Sequence, residues 1–367
     1  MIDLLLSQIV WDPSPEVFNG LNIPRWYSLL FAGGFVVSYF IVTHIFRKEG
    51  KPVSDVDRLT MYMVIGTVLG ARLGHVIFYE PQRYLSNPID ILKTWEGGLA
   101  SHGAAIGILL ALYYYAKRTK GQSWLWIIDR IVIVVALAAC MIRMGNFMNS
   151  EIGGKTTNMD YGVVFARDAE NLMERRFQVI ENVEASKGSS TDQLQEGIIP
   201  VDFEIEFKRG NYTEEELRQF LELELKSLFV NSPTLQEDFI QSNDQPLNFR
   251  ITQSGGIFTA IVTVQGIAKH PTQLYEAAAY LGLFFILYGI WNRNRAKLPD
   301  GLLFGVFMVV LWSSRFMLEF MKENQVEFED SMQLNMGQLL SIPLILVGFF
   351  LLFRAYSISK KTQGTGS

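Results

Sequence analysis

The chain has 367 residues, of which 49% are apolar and 19% charged, with a net charge of −5 and a mean hydropathy of +0.18. Soluble domains usually carry about 25% charged residues, so this composition disfavours an ordinary soluble protein. Seven apolar runs approach the ~20 residues that a helix needs to cross a bilayer. The runs lie at 27–46, 60–79, 98–115, 124–142, 272–291, 301–320 and 336–356. The sequence therefore predicts an all-α polytopic membrane protein with seven transmembrane helices.

Basic residues in the short flanks of these spans predict their orientation. Thirteen lysines and arginines follow spans one, three, five and seven, whereas four lie on the opposite side. Because basic residues are retained on the cytoplasmic side, we expect the N-terminus outside and the C-terminus inside. The first 26 residues lack the charged start, apolar middle and cleavage site of a signal peptide, so we expect the N-terminus to be kept.

The long segment between spans four and five predicts a soluble insertion on the outer face. Its core from 166 to 250 carries 18 acidic and 9 basic residues. VDFEIEF alternates like a half-buried strand, Thr213 and Glu216 form a capping box before a helix, and FRITQSGGIFTAIVTVQG fits two strands around a Gly-Gly turn. We therefore expect a small α+β module at about 166–265, between membrane parts at 1–165 and 266–367.

Polar side chains in several spans fall at one predicted depth. With ~1.5 Å of rise per residue, Arg143 lies about 28 Å along span four, Arg315 about 21 Å along span six and Arg72 about 18 Å along span two. The other polar residues of the predicted outer half are Tyr27, His102, His270, Tyr275, Glu276 and Glu319. Each intramembrane charge costs ~2.5–3.5 kcal/mol at the bilayer centre, so their coincidence at one level favours a shared polar cavity.

A simpler interpretation stays open for the individual residues. Arg315 and Glu319, four apart on one helix face, would neutralise each other, and the side chain of Arg143 would extend to the headgroups. For the whole set, the alternative function is a transporter for an anionic solute or a lipid. The inner halves of the spans are almost wholly apolar, which disfavours a continuous pathway.

These residues are suited to chemistry on a phosphate. Two arginines in an apolar wall present planar forks that match a phosphate, and a lipid headgroup is the obvious local source. A histidine has a pKa suited to proton transfer. Ser101 is adjacent to His102, so their side chains diverge on a helix, and the sequence contains neither GxSxG nor HExxH. An enzyme built on these residues therefore takes its nucleophile from a substrate, and we expect neither a metal ion nor a cofactor.

Five motifs resemble successive blocks of the bacterial prolipoprotein diacylglyceryl transferase family. They are RWYSLLF at 25–31, WEGGLASHGAAIG at 95–107, RMGNFMNSEIGG at 143–154, HPTQLYEA at 270–277 and RFMLEF at 315–320. The resemblance covers all seven spans, and the RxGNFxNxExxG block is highly specific.

The resemblance implies that phosphatidylglycerol donates its diacylglyceryl group to the thiol of the lipobox cysteine of a preprolipoprotein, which forms a thioether and releases glycerol phosphate. By position, Arg143 and Arg315 hold the phosphate. The other residues that match family positions needed for activity are Tyr27, His102, Asn146, Glu151, Gly154 and Glu319. We also expect Asn149 and Arg72 in the phosphatidylglycerol site.

Physical chemistry suggests roles for these groups. The arginines stabilise charge growing on the leaving phosphate, and His102 takes the thiol proton, since the thiolate is the reactive form. Glu151 and Glu319 have the alternative role of orienting the arginines, so the identity of the base stays open. Asn146 and Asn149 either bind the glycerol hydroxyls or hold the loop backbone.

The sequence also departs from the family at two places. Leu311 stands where the family often has a tyrosine, and the insertion is much larger than the usual loop. The insertion either guides the incoming signal peptide or adds stability. Gly154 is expected to let the backbone approach the lipid. The expected partners are phosphatidylglycerol, lipobox signal peptides and membrane lipid, with no nucleic acid, in the bacterial cytoplasmic (inner) membrane with the active site towards the outer leaflet.

Overall fold

The computed structural model describes residues 8–18, 24–93, 97–159, 161–189, 196–323, 329 and 331–364. The chain divides into two compact units, and each unit is made of three stretches of sequence. The first unit contains Met1–Leu30, Arg143–Glu276 and Met317–Asn335, and the second unit contains Phe31–Ile142, Ala277–Phe316 and Met336–Ser367.

Long helices account for nearly half of the described residues. In chain order they are α1 Trp26–Lys48, α2 Ser54–Phe78, α4 Ser101–Arg118, α5 Trp124–Met148, α10 Thr272–Asn294, α11 Leu302–Leu318 and α12 Met336–Gly364, with a short α3 at Pro81–Ser86. Six helices in the described part of the chain are long and apolar enough to cross a membrane. The remaining long helix, α4, has 18 residues and carries polar residues at both ends. The mostly helical architecture is confirmed, and a seventh crossing stays a prediction.

Glycines bring α2 and α4 into close contact inside the second unit. A Cβ at Gly66 would lie 2.7 Å from the carbonyl oxygen of Gly107, and a Cβ at Gly74 would lie 2.7 Å from Cα of Gly103. Neither distance leaves room for a side chain. The four-residue spacing of these glycines lets the two helix backbones approach, as small residues do in membrane helix pairs.

A buried charge cluster, the Arg130 cluster, joins four elements of the second unit. It contains Glu49, Asp129, Arg130 and Trp291. The Arg130 guanidinium donates through Nε and Nη2 to the Glu49 carboxylate at 3.0 to 3.2 Å, and Trp291 Nε1 donates to the same carboxylate at 2.6 Å. Asp129 accepts the backbone N–H groups of Gly301 and Phe304, both at 2.8 Å, and so caps the start of α11. The cluster anchors helices to one another.

The first unit contains two β-sheets. Its strands are β1 Ile9–Trp11, β2 Val163–Phe165, β3 Ile180–Lys187, β4 Ile198–Phe207, β5 Phe239–Ile240, β6 Asn248–Ser254 and β7 Ile257–Ile267, and its short helices are α6 Arg167–Arg176, α7 Glu214–Gln219, α8 Lys226–Asn231 and α9 Pro233–Gln236. The five-stranded antiparallel sheet has the order β3-β4-β7-β5, and β6 also pairs with β7.

Alternation along β4 decides which face of this sheet is buried. Val201, Phe203 and Ile205 are buried, whereas Glu204 between them is exposed. Because successive strand residues point to opposite faces, the apolar set packs into the core of the insertion. The strand predicted at VDFEIEF is therefore confirmed.

Two local signals of the insertion are also confirmed. Thr213 and Glu216 form the reciprocal capping box at the start of α7, and the helix continues through a π turn at Phe220–Leu225 into α8. Gly255 and Gly256 take positive φ angles of 58° and 79° in the turn between β6 and β7. That backbone conformation explains the glycine pair.

Candidate functional site

The segment 143–154 begins in the last turns of α5 and continues as a tight loop. The backbone N–H of Glu151 donates to the carbonyl of Asn146 at 3.0 Å, which closes the helix end. Ser150 and Ile152 then take positive φ angles of 57° and 60°. A β-branched residue rarely adopts this conformation, so surrounding contacts must hold the loop in place.

The start of α10 supplies two of these contacts. Thr272 Oγ1 donates to the carbonyl of Ile152 at 3.1 Å, and Gln273 Nε2 donates to the carbonyl of Glu151 at 2.5 Å. Thr272 and Gln273 are both fully buried. The motif HPTQLYEA therefore fixes the backbone of the loop directly.

Gly154 lies where three segments of the first unit meet. Its N–H donates to the carbonyl of His270 at 2.9 Å, and a Cβ at this position would lie 2.6 Å from Thr272 Cγ2 and 2.7 Å from the carbonyl oxygen of Met321. Any side chain would collide with protein atoms. The close approach at this glycine is therefore made to protein backbone, and a contact between Gly154 and lipid stays a prediction.

A pair of three-residue strands supports the same helix end. β1 runs parallel to β2, with Ile9 opposite Val163. Trp11 stacks on Phe147 with ring centroids 4.3 Å apart, and Trp11 Nε1 donates to the Phe147 carbonyl at 2.9 Å. No periodicity marks these strands in the sequence, because three residues are too few to show alternation.

Tyr27, at the start of α1, packs against the turn of α5 that carries Arg143. A Cβ at Gly145 would lie 2.8 Å from Cδ2 of Tyr27. The glycine of the RMGNF motif therefore makes room for the tyrosine ring. The structure places Tyr27 within the first unit, against Gly145, which lies two residues along the chain from Arg143.

Two amides hold the carboxylate of Glu151, whose residue is exposed. Asn146 Nδ2 lies 3.3 Å from one carboxylate oxygen, and Asn149 Nδ2 lies 3.1 Å from the other. The sequence left two roles open for these asparagines: binding the glycerol hydroxyls or holding the loop backbone. Both amides hold Glu151, and thereby the loop that carries it.

Four charged side chains of alternating sign form a second cluster, the Arg143 cluster. Arg143 Nε lies 2.9 Å from Glu276 Oε2, and Lys322 Nζ lies 2.9 Å from Glu276 Oε1. Lys322 Nζ also lies 3.8 Å from Glu319 Oε2. The exposed fractions are 15% for Arg143, 0% for Glu276, 5% for Lys322 and 9% for Glu319. The two positive and two negative charges balance, which such burial requires.

Arg143 makes its only ion pair among the described residues through Nε. A guanidinium carries five N–H donors, so the four donors on its two Nη atoms have no protein partner in the described part of the chain. Arg143 is also the most exposed member of its cluster. The geometry leaves the fork of the guanidinium available to an anion.

Buried oxygen atoms without a hydrogen bond concentrate around the same residues. Of eight buried side-chain nitrogen and oxygen atoms without a partner in the described chain, five are oxygens of this region: Asn149 Oδ1, Ser150 Oγ, Gln273 Oε1, Glu276 Oε2 and Glu319 Oε2. The two carboxylate oxygens lie near cations but are not aligned for hydrogen bonds. Buried polar atoms normally have a hydrogen-bond partner, so these oxygens are acceptors that the described protein atoms leave unsatisfied.

His270 lies two residues before the first residue of α10, and its Nδ1 lies 3.3 Å from Tyr275 Oη. Burial lowers the pKa of His270 below its ordinary value. The imidazole is therefore neutral at pH 7 and adds no positive charge. The cations of the Arg143 cluster are Arg143 and Lys322.

Arg72 lies in the second unit and is buried. Its guanidinium donates to backbone carbonyl oxygens, and the acceptors are those of Asp90, Ile91, Gly97 and Gly98. These bonds engage most of its donors. Arg72 therefore anchors the segment that follows α3, and a direct role in binding lipid stays a prediction that these bonds disfavour.

His102 and Arg315 are the other predicted site residues of the second unit. His102 is exposed in the first turn of α4, and its ring centroid lies 5.2 Å from that of Phe78. Arg315 is half-buried in α11, with its guanidinium carbon 6.0 Å from the ring centroid of Trp312. Their roles in binding and proton transfer stay predictions.

Three residues of the site had no assigned role from the sequence. Glu276 was noted for its depth alone, Gln273 was part of a quoted motif, and Lys322 was counted only as a basic flanking residue. Gln273 and Glu276 are three apart and share a helix face, so the helical periodicity of HPTQLYEA would have indicated them. Lys322 carries no local signal, because its partner Glu276 is distant in sequence.

Several known proteins are similar in sequence to nearly the whole chain. A family model described as prolipoprotein diacylglyceryl transferase matches residues 16–354. The phosphatidylglycerol–prolipoprotein diacylglyceryl transferase of Tolumonas auensis is 32% identical over 94% of this chain and 96% of its own. Proteins of the same name from Chloroherpeton thalassium and Porphyromonas gingivalis are 31% and 32% identical, each over 95% of this chain, and over 95% and 94% of their own. The chain belongs to the prolipoprotein diacylglyceryl transferase family.

Proposed function

We propose that this protein transfers the diacylglyceryl group of phosphatidylglycerol to the thiol of the lipobox cysteine of preprolipoproteins, the first step of lipoprotein maturation. The cysteine S–H loses its proton, and sulfur attacks the diacylglyceryl carbon that bears the phosphate. A C–S bond forms, the C–O bond to the phosphate breaks, and glycerol phosphate leaves with the bonding electrons. Family membership and the names of the relatives support the reaction and both substrates.

The proposal depends above all on how the guanidinium of Arg143 is paired. Its Nε is held by the buried Glu276, while its Nη atoms have no partner among the described residues. The phosphate of phosphatidylglycerol changes from a diester with one negative charge to a monoester with more charge as the C–O bond breaks. Because the negative charge of the phosphate grows in the transition state, a pre-oriented guanidinium stabilises the transition state more than it stabilises the bound lipid.

The remaining site residues take the following roles in the proposal. Arg315 joins Arg143 on the phosphate, and Arg72 completes the lipid site. Asn146, Asn149 and Gly154 shape the loop beside the glycerol headgroup. The oxygen atoms without partners at Asn149 and Ser150 are suited to accept hydrogen bonds from glycerol hydroxyls.

The thiol proton passes to His102 in this proposal. Histidine is the side chain that most often acts as a general base in enzymes. Glu151 is the competing acceptor, because it is exposed and its carboxylate is held by Asn146 and Asn149. Glu319 and Tyr27 support the cluster and the α5 turn. If His102→Gln keeps more than about a tenth of the wild-type rate, then Glu151 is the better candidate.

The membrane arrangement is part of the same proposal. Seven crossings, with α4 as the third, place the N-terminus outside and the C-terminus inside the bacterial cytoplasmic membrane, with the site towards the outer leaflet. The chain is then organised as membrane parts at 1–165 and 266–367 around an extracytoplasmic module at 166–265. A cysteine at the exposed position Glu181, introduced with Cys140→Ala, should react in intact cells with a membrane-impermeant maleimide. Protection until lysis would reject this orientation.

The activity is tested with the purified full chain, phosphatidylglycerol vesicles and a synthetic lipobox peptide. We expect release of glycerol phosphate and a gain of one diacylglyceryl mass on the peptide cysteine. A peptide with serine at the same position is the matched control and should gain nothing. If the cysteine peptide yields neither product, the proposed function is rejected.

A further inference from the structure

Lys322 and Lys269 are the two buried lysines of the described chain, and the ammonium group of each lies between two carboxylates. The partners of Lys269 are Asp238 and Glu323, whereas those of Lys322 belong to the Arg143 cluster. The side chain of Lys322 is 5% exposed and lies 2.9 Å from Glu276 and 3.8 Å from Glu319. A buried ammonium must be paired, since its desolvation is costly. Lys322 is therefore an ion-paired member of the Arg143 cluster.

The backbone around Lys322 is fixed by the loop that carries Glu151. Lys322 forms a β-bridge with Gly154, and the N–H of Lys155 donates to the carbonyl of Met321 at 2.7 Å. Glycine is the residue that permits this approach, as the crowding at Gly154 shows. The position of the ammonium is thus set by the same motif that contains Arg143.

Glu276 divides its two carboxylate oxygens between two cations. Oε1 faces Lys322, and Oε2 faces Arg143 through Nε. Without Lys322, a fully buried carboxylate would have one cation for both oxygens. The guanidinium would then be drawn into two-point contact with Glu276, because bidentate pairing is the favoured arrangement. That rearrangement would use an Nη donor.

We propose that Lys322 is a positioning residue for the transfer reaction: by neutralising Glu276 it keeps Arg143 in one-point contact and leaves both Nη atoms for the lipid phosphate. This inference rests on the proposed function. Lys322 itself contacts neither the reacting carbon nor the sulfur in this account, and it acts through Glu276 and Arg143.

The test measures transfer kinetics for Lys322→Met, Lys322→Arg, Glu276→Gln and the double variant Lys322→Met/Glu276→Gln. Rates are normalised to folded protein, and glycerol phosphate release is followed with phosphatidylglycerol vesicles and the lipobox peptide. We expect kcat of Lys322→Met to fall ~30-fold or more, with a smaller change in KM, because the lost interaction acts mainly in the transition state. Lys322→Arg should stay within about 5-fold of wild type, since the charge is kept.

The double variant separates positioning from a purely structural role. Removing the carboxylate charge together with the ammonium also removes the attraction that would draw Arg143 into two-point contact. The double variant should therefore be faster than the product of the two single effects predicts. Lys155→Met is the matched control, because Lys155 is exposed and its ammonium reaches only the Phe320 carbonyl at 3.1 Å.

Three results would overturn the inference while wild-type transfer is intact: an unchanged kcat for folded Lys322→Met, equal losses in Lys322→Met and Lys322→Arg, or strictly multiplicative effects in the double variant. A wild-type protein that makes no thioether would instead reject the proposed function. The two failures are therefore distinguishable.

Discussion

The Arg130 cluster and the Arg143 cluster both contain an arginine from α5, but they differ in how completely that arginine is used. Arg130 is buried and donates through Nε, Nη1 and Nη2 to Glu49 and the Trp126 carbonyl. Arg143 is partly exposed and uses Nε alone among the described residues. The first arrangement is closed and holds helices together. The second is more open, and it leaves donors of Arg143 unused among the described residues, which we propose meet the lipid phosphate.

This contrast predicts opposite consequences for the two arginines, beginning with stability. Arg130→Met leaves the Glu49 carboxylate buried without its cation, and breaking such a pair costs about 3–5 kcal/mol. We expect a large drop in the thermal midpoint of the full chain in detergent, with unchanged kcat for the protein that remains folded. Arg118→Met, at an exposed arginine that reaches Tyr62 Oη, should unfold like wild type. A thermal midpoint of Arg130→Met equal to that of wild type would contradict the structural role of the Arg130 cluster.

The second prediction concerns activity at the open cluster. Arg143→Gln removes the donors proposed to meet the phosphate, so kcat should fall about 10²–10³-fold, as when an oxyanion donor is lost. The thermal midpoint should change far less than that of Arg130→Met. Arg175→Gln, an exposed position in the same unit, is the matched control. A folded Arg143→Gln protein with more than about half the wild-type rate would remove the phosphate role.

The third prediction concerns the loop that bears Glu151. Gln273→Leu removes the donor to the Glu151 carbonyl, so the loop loses one of the contacts that hold Ser150 and Ile152 at positive φ. We expect a loss of about 10-fold in kcat and about 1–3 kcal/mol in stability. Gln273→Glu keeps the shape but places a charge at a fully buried position, so it should be worse. The same kcat in Gln273→Leu and wild type would show that loop geometry does not limit transfer.

The smallest predicted effect tests the insertion, far from either cluster in sequence. Burial, aided by the nearby carboxyl of Asp12, raises the pKa of Glu170 above its ordinary value. A carboxyl whose pKa is raised on folding stabilises the folded state fully below the pKa of the unfolded chain. That stability is lost as pH rises through the raised, folded value.

Resistance of the insertion to proteolysis in the full chain should therefore decline on the alkaline side. Glu170→Gln keeps the neutral form at every pH, so it should remove that decline, which we place at about 1–2 kcal/mol. Glu181→Gln, at an exposed carboxylate, should decline like wild type. A decline of the same size in Glu170→Gln would assign the pH dependence to another group.

Much of the fold could be predicted because its signals are local. Apolar runs predicted helices at seven places, and Thr213 with Glu216 predicted the cap of α7. The Gly-Gly pair predicted the β6–β7 turn. Each signal depends on residues within one or two turns of each other. The three-residue strands β1 and β2 have no such signal.

The site was only partly predictable, because its ion pairs join residues that are distant in the chain. Arg143, Asn146 and Glu151 share one motif, and the motif marked them. Lys322 is buried against Glu276, yet in sequence it resembles any basic residue beside a membrane span. Arg72 shows the reverse case, since its depth suggested lipid binding while its donors meet backbone carbonyls. Depth predicts that a charge needs partners but does not identify them.

The central claim is that the Arg143 guanidinium meets the phosphate that leaves phosphatidylglycerol. It is tested most directly by chemical rescue of Arg143→Ala, with thioether formation on the lipobox peptide followed by mass. We expect almost no product without additive, and a recovery of about 10-fold or more when methylguanidinium is supplied. Full product formation by Arg143→Ala without any added guanidinium would contradict the account.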